Sequence, residues 1–204
     1  MIAGIILAAG ASSRMGSPKA LLDYRGQTFL NRLIRVLSGV CDPVIVVLGG
    51  HAESIRARTT GDVKLAINPN PERGQLSSLV TGLAEVPQDA DGFLFLPVDC
   101  PAVEPETVAD LIEVFARRET GVMLAIPRHD GRRGHPVCCA PELIPEFLAL
   151  PPLAQARDVI RRHRDRTVYL ETVDAGVLGD IDDPEAYRAL VESPLGKASG
   201  SRRA

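Results

Sequence analysis

The chain has 204 residues, with 23 Lys plus Arg against 26 Asp plus Glu and a net charge of −3. That length suits one α/β domain with a core of its own, and 45% hydrophobic with 24% charged residues argues against wholesale disorder. The mild acidity argues against a dedicated nucleic-acid binder, which usually carries a strong basic excess, and the absence of Trp with aromatics at 4% argues against stacking platforms for single strands. Any anion this chain handles must therefore meet a local site. Cys41, Cys100, Cys138 and Cys139 form no C-x-x-C pair and no zinc spacing, so they read as reduced, buried residues of a cytoplasmic protein. In a strand, Cys138 and Cys139 would point to opposite faces. The apolar stretch from Met1 to Leu7 lacks a basic flank and is too short to span a bilayer, and no later run approaches a membrane span.

Ile2 to Leu7 reads as a buried strand. Leu30, Leu33, Ile34 and Leu37 repeat at helical spacing, with Gly39 as the stop. Val44 to Leu48 is a second apolar strand, His51 to Thr59 a short helix and Val63 to Ile67 a third strand. Leu76, Leu79, Val80 and Leu83 predict a helix, and Phe93 to Leu96 a fourth strand. Val108, Leu111, Ile112 and Phe115 predict a helix behind Pro105, and Val122 to Ile126 a fifth strand. Unbroken apolar strands alternating with helices imply a mostly parallel central sheet with helices on both faces, a Rossmann-like α/β fold. Its strand C-termini should share one edge, where ligands bind.

After Pro127 the rhythm changes. Asp130 to Gly134 reads as a turn between two short runs, a hairpin or an excursion, Pro141 to Leu148 and Leu153 to His163 as helical stretches, and Val168 to Thr172 as a strand. Asp183 is placed to cap a last helix opened by Pro184. Residues 1–192 are expected to form one domain, and 193–204 a disordered tail.

Five stretches carry residue types suited to chemistry. Ala8-Ala9-Gly10 begins a small-residue loop containing Arg14 and Lys19, where backbone N–H groups and two cations can cradle phosphates. It is neither a Walker A loop nor G-x-G-x-x-G, because Gly10 and Gly16 have five residues between them rather than four and Pro18 precedes Lys19. Asp99, between Pro97 and Pro101 at a strand end, suits a hard cation such as Mg²⁺. Asp180 and Asp182 would share one face of an extended stretch and could both point at such an ion. In Asn68 to Leu79, a Pro/Gly-constrained loop opens a helix whose N-terminus offers N–H donors, and Asn68, Gln75, Ser77 and Ser78 could hydrogen-bond a base or ribose. Arg132, Arg133 and His135 lie in a Gly-flanked turn able to meet an anionic second substrate.

Together LAAGASSRMGSPKALL, NPNPERGQLSSL, LPVDCPAV, GRRGHPV and GDIDDPEAY, running in order from Ile2 to Tyr187, resemble the molybdenum cofactor nucleotidylyltransferases, and most closely the cytidylyl branch. The resemblance implies a nucleotidyltransferase fold and transfer of CMP from CTP to the phosphate of molybdopterin, with release of pyrophosphate and need of Mg²⁺. It implies that Gly10, Arg14 and Lys19 hold the triphosphate, and that Asp99 and Asp182 hold Mg²⁺ with Asp180 in reserve. Arg14, Lys19 and Asp99 would be the catalytic groups. Ala8, Ala9, Gly74 and Ser78 would line the base and ribose pocket, Ala9 being the cytidylyl-branch residue where the guanylyl branch has Gly. Arg133 and His135 would face the pterin. A molybdoenzyme or its maturation chaperone would be the partner, with no nucleic acid and no membrane involved. The chain departs from the family in having Cys100 where Gln is usual and Pro151 to Arg157 where a Gly-Asp-x-Gly-Ala-Arg stretch is usual. Transfer to a sugar or polyol phosphate, or a non-catalytic nucleotide- or cofactor-binding module, remain the alternatives. A redox Rossmann enzyme fits least, because the dinucleotide fingerprint is missing.

Overall fold

The computed structural model describes residues 1–10 and 15–192. Arg14 and the 193–204 tail lie outside the described residues. The chain runs β1 (Ile2–Ala8), β2 (Asp23–Tyr24), β3 (Gln27–Thr28), α1 (Phe29–Ser38), β4 (Val44–Leu48), α2 (Ala52–Arg56), β5 (Lys64–Ile67), α3 (Gln75–Leu83), β6 (Gly92–Pro97) and α4 (Pro105–Ala116). It continues with β7 (Leu124–His129), β8 (Arg132–Arg133), β9 (Val137–Cys139), α5 (Ile144–Leu148), α6 (Ala156–Arg162), β10 (Thr167–Glu171) and α7 (Pro184–Glu192).

The main sheet has the order β10-β7-β9-β6-β1-β4-β5, with β8 paired to β7. Strands β1, β4, β5 and β6 pair in parallel, as do β7 and β10. β9 runs against both β6 and β7, and β8 against β7. The expected mostly parallel sheet is therefore observed, with the excursion after Pro127 inserting one reversed strand into its middle.

Alternation within the strands separates two apolar layers. Ile6, Val46, Leu94 and Cys138 face α1, α2 and α4, where Phe29, Leu33, Ile55, Leu111 and Phe115 pack. Ile5, Val47, Phe95 and Cys139 face α3, α5 and α6, where Leu79, Leu83, Phe147 and Val159 pack. Cys138 and Cys139 do lie on opposite faces, and all four cysteines are free and buried. Burial pushes the Cys41 thiol up to about 12, which keeps it an unreactive apolar group.

Boundaries differ where local chemistry overrides periodicity. The expected strand Val122 to Ile126 begins at Leu124 because Gly121, at φ 95°, and a turn from Glu119 to Val122 precede it. The Leu153 to His163 stretch becomes helical only at Ala156. Pro151 and Pro152 provide no N–H groups, and the Asp158 carboxylate accepts from the Gln155 N–H at 2.9 Å to start the turn. The His51 to Thr59 helix shrinks to Ala52–Arg56. Among the described residues no helix is long and apolar enough to cross a membrane.

Candidate active site

Parallel pairing of β1, β4 and β6 brings their C-terminal ends to one edge of the sheet. The backbone beyond them stays in register: Val98 N–H donates to Leu7 O at 3.1 Å and Asn68 N–H to Leu48 O at 2.8 Å. A cleft of about 240 Å³ opens there. Ala8 at the end of β1, Ala9 and Gly10 just after it, Lys19, Gly74 and Ser78 at the head of α3, Asp99 after β6, and Asp182 all line it. A second cavity of about 410 Å³ lies beside it, lined by Cys100, Arg132, Arg133, His135 and Asp180. Gln75, Pro97, Asp99 and Asp182 belong to both, so the two spaces meet at these carboxylates.

Lys19 sits at that junction. Its Nζ lies 2.8 Å from Asp182 Oδ1 and 3.2 Å from Asp99 Oδ2, on a side chain only 13% exposed. Burial works against its ammonium, but the hydrogen bonds and charges of Asp182 and Asp99 outweigh it, and the net shift is upward. Lys19 is thus a permanent cation held in place by two anions.

Asp99, Asp180 and Asp182 each offer a carboxylate oxygen within 4.8 Å of the others. The period-2 alternation expected for Asp180 and Asp182 is what brings both to Asp99, and Ile181, between them, is buried and donates its N–H to Asp99 O at 3.1 Å. Burial raises the Asp180 pKa, and the charges of Asp99 and Asp182 push it the same way. An all-carboxylate set under mutual repulsion has the hard oxygen donors that Mg²⁺ or Mn²⁺ takes, so these residues fit a divalent ion. The geometry places Asp180 and Asp182 together in the cluster rather than one in place of the other.

The Gly-flanked turn lies where an acceptor could reach the carboxylates. His135 N–H donates to Val177 O at 2.8 Å, and its ring packs edge-on against Phe95 at 6.4 Å. Burial lowers its pKa, with Asp180 opposing, so the imidazole is neutral at pH 7. Arg132 and Arg133 are exposed at the cavity rim.

Two expectations from the polar loop are corrected. Neither Asn68 nor Ser77 lines either cavity. The Asn68 side chain, 3% exposed, is consumed within the loop, and the Ser77 hydroxyl reaches Gly74 O at 2.8 Å and Asn70 O at 3.1 Å. Sequence reasoning also passed over two groups. Cys100, read only as a buried cysteine, lines the second cavity with its Sγ 3.9 Å from Asp99 Oδ1. Arg32, hidden within the apolar repeat of α1, is 4% exposed. Its Nε donates to Pro101 O at 2.6 Å, and one Nη donates to Val103 O at 3.3 Å and to Glu104 Oε2 at 3.1 Å. That grips the loop behind Asp99. A polar residue flanked by core positions was the only sign of it.

This mostly parallel sheet with helices on both faces is the Rossmann-like fold of the nucleotidyltransferases. The solved structure of Rv0371c from Mycobacterium tuberculosis superposes with a TM-score of 0.79 at 30% identity, covering 94% of this chain and 97% of that one. A manganese complex of Rv0371c gives 0.75 at 27%, covering 94% and 98%. Within that class, the MobA-like NTP transferase domain matches residues 4–167, and the chain belongs to that family. Among curated relatives, the molybdenum cofactor cytidylyltransferase of Escherichia coli K12 is 28% identical over 185 residues, 90% of this chain and 92% of the relative. The probable molybdenum cofactor guanylyltransferase of Bacillus cereus AH187 is 31% identical over 132 residues, and the match spans 64% of each chain.

Proposed function

We propose that this chain transfers CMP from CTP to the phosphate of a molybdopterin-type acceptor and releases pyrophosphate. The observation that carries this reading is the meeting of two cavities, of about 240 and 410 Å³, at Asp99 and Asp182 beside Lys19. A two-substrate transfer needs a donor and an acceptor approaching one reacting centre from two sides. Membership in the MobA-like family, the Escherichia coli cytidylyltransferase relative and Ala9 in the cleft support it.

In this reading Ala8, Ala9, Gly74 and Ser78 surround the base and ribose, while Gly10 and Lys19 meet the triphosphate. Arg14 keeps the same assignment by resemblance. Arg133 and His135 contact the acceptor, His135 as a neutral ring. The acceptor phosphate oxygen attacks the α-phosphorus, forming a P–O bond as the bond to the pyrophosphate oxygen breaks. The nucleophile is already an anion, so the site needs no strong general base. What it supplies is orientation and positive charge, the main currency of phosphoryl transfer. Lys19 neutralises charge on the leaving pyrophosphate and the α-phosphoryl oxygens. Asp99, Asp180 and Asp182 would hold a divalent cation, Mg²⁺ on the family resemblance, whose chemistry is further charge neutralisation on phosphate oxygens. The product would pass to a molybdoenzyme or its maturation chaperone in the cytoplasm.

The test is pyrophosphate release with Mg²⁺ and each of CTP, GTP, ATP and UTP, with molybdopterin present or absent. Release with CTP that depends on molybdopterin is expected. Release with another nucleotide in preference overturns the cytidylyl assignment, and no release under any condition overturns catalysis.

A further inference from the structure

Asn68 is an internal device rather than a ligand contact, and its hydrogen bonds determine which way a group inside the cleft can act. Its Oδ1 accepts from the Asn70 N–H at 2.9 Å, which orients the amide without ambiguity. The Nδ2 must then face α3, where it donates to Ser77 Oγ at 2.8 Å and Ser78 Oγ at 3.1 Å. The amide cannot turn over, because a carbonyl would then face two hydroxyl oxygens and the Asn70 N–H would lose its acceptor. The Asn68 backbone N–H is tied to Leu48 O, so the residue continues the β5 ladder and cannot swing away.

Ser78 lines the nucleotide cleft and is 5% exposed. Its oxygen already receives the Asn68 amide, so its one proton is left to donate elsewhere. Among the described residues no acceptor takes that proton. The usual helix partner, Gly74 O one turn back, already receives the Ser77 N–H at 3.2 Å and lies 2.8 Å from the Ser77 hydroxyl. A buried hydroxyl on a cleft wall, with one lone pair taken by the Asn68 amide and its proton unspent, can donate to a hydrogen-bond acceptor on a ligand.

We propose that Asn68 is a positioning residue that holds Ser78 as a donor toward the nucleobase, and that this pair selects bases presenting a carbonyl or ring-nitrogen acceptor at that point. The inference rests on the nucleotide reading of the cleft given above. Ser78 would touch the base; Asn68 acts only through it. Asn68→Asp keeps the oxygen that serves Asn70 but replaces the NH₂ with an acceptor. The Ser78 hydroxyl then turns back to donate to the carboxylate, and the cleft loses its donor.

Binding of CTP, GTP, ATP and UTP is measured calorimetrically on the full chain for wild type, Ser78→Ala, Asn68→Asp and the double variant, with pyrophosphate release followed in parallel. Ser78→Ala, which removes one hydroxyl from a helix, is expected to weaken the preferred nucleotide about tenfold relative to the least preferred. Asn68→Asp should lose the same discrimination, and the double variant no more than Ser78→Ala alone. A structural role would weaken all four nucleotides alike, and that result overturns the proposal, as does unchanged discrimination in Ser78→Ala. Wild type that binds none of the four overturns it together with the nucleotide reading. Binding without pyrophosphate release overturns the transfer reaction alone.

Discussion

At the residue scale, the site is a set of charges that hold one another in place before substrate arrives. Lys19 reaches Asp182 and Asp99 across 163 and 80 positions of chain, so its ammonium is aimed without a substrate to order it. Preorganised charge of this kind is worth most where water is excluded. Lys19→Ala is expected to lower the rate of pyrophosphate release on the order of 10²–10³-fold, with an unchanged circular dichroism spectrum. A rate within a fewfold of wild type would remove Lys19 from the catalytic set. His135 makes a different test, on stability. Burial holds its folded pKa below the ordinary value of 6.5, so the folded state favours the neutral ring. Its stabilising contribution is complete above pH 6.5 and is lost as pH falls through the folded value. Urea midpoints measured at about pH 7.5 and about pH 5.5 should converge in His135→Gln relative to wild type.

At the element scale, close packing sets where the helix heads sit. α3 lies against β1 and β4 at Gly82, where an added Cβ would fall 2.6 Å from Ile5 Cγ2 and 3.0 Å from Val47 Cγ2. Gly82→Ala is expected to destabilise by about 1–3 kcal/mol through overpacking, read as a lowered urea midpoint. It should also raise the KM for nucleotide, because the same helix carries Gln75 and Ser78 into the cleft. α1 acts through Arg32, whose guanidinium fills the space behind the Asp99 loop. Arg32→Met leaves two carbonyls and the Glu104 carboxylate without that partner. The expected cost is about 3 kcal/mol, the low end for breaking a buried charge pair, because Glu104 is part exposed. Helices and strands were legible where their periods ran long: α1, α3, α4 and the parallel strands all stand near their expected places. The β2–β3 hairpin escaped notice. Its two-residue loop, Arg25 and Gly26 at φ 56° and 76°, joins strands too short to show any alternation.

At the scale of the whole molecule, a chain of net charge −3 concentrates charges of both signs at one edge of its sheet. Asp99, Asp180 and Asp182 gather at the edge where Lys19, Arg132 and Arg133 also stand. The candidate site was legible as residue types at strand ends, because a parallel sheet brings such ends together whatever lies between them. Asp180 and Asp182 could be paired from their spacing alone. The Arg32 clamp could not, since it depends on contacts about 70 positions away in sequence, and the Asn68 knot, although within ten residues, depends on how the loop folds back onto the head of α3. Cys100 was legible as a departure from the family pattern, yet nothing in the sequence placed its thiol in the second cavity. The insertion of β9 against β6 and β7 follows from the short excursion after Pro127, which left too little chain for a helical crossover.

The stitching of the 174–182 segment has a consequence for how the site comes into being. Asp174 accepts from the Glu104 N–H at 2.9 Å, Val177 O receives the His135 N–H at 2.8 Å, and Ile181 N–H reaches back to Asp99 O at 3.1 Å. Lys19, the head of α3 and Asp99 all lie within the first half of the chain, whereas two of the three carboxylates, Asp180 and Asp182, lie near its end. During synthesis the emerging polypeptide can therefore lay down the sheet edge that carries Lys19 and Asp99 long before Asp180 and Asp182 arrive to finish the cleft wall and the acidic cluster.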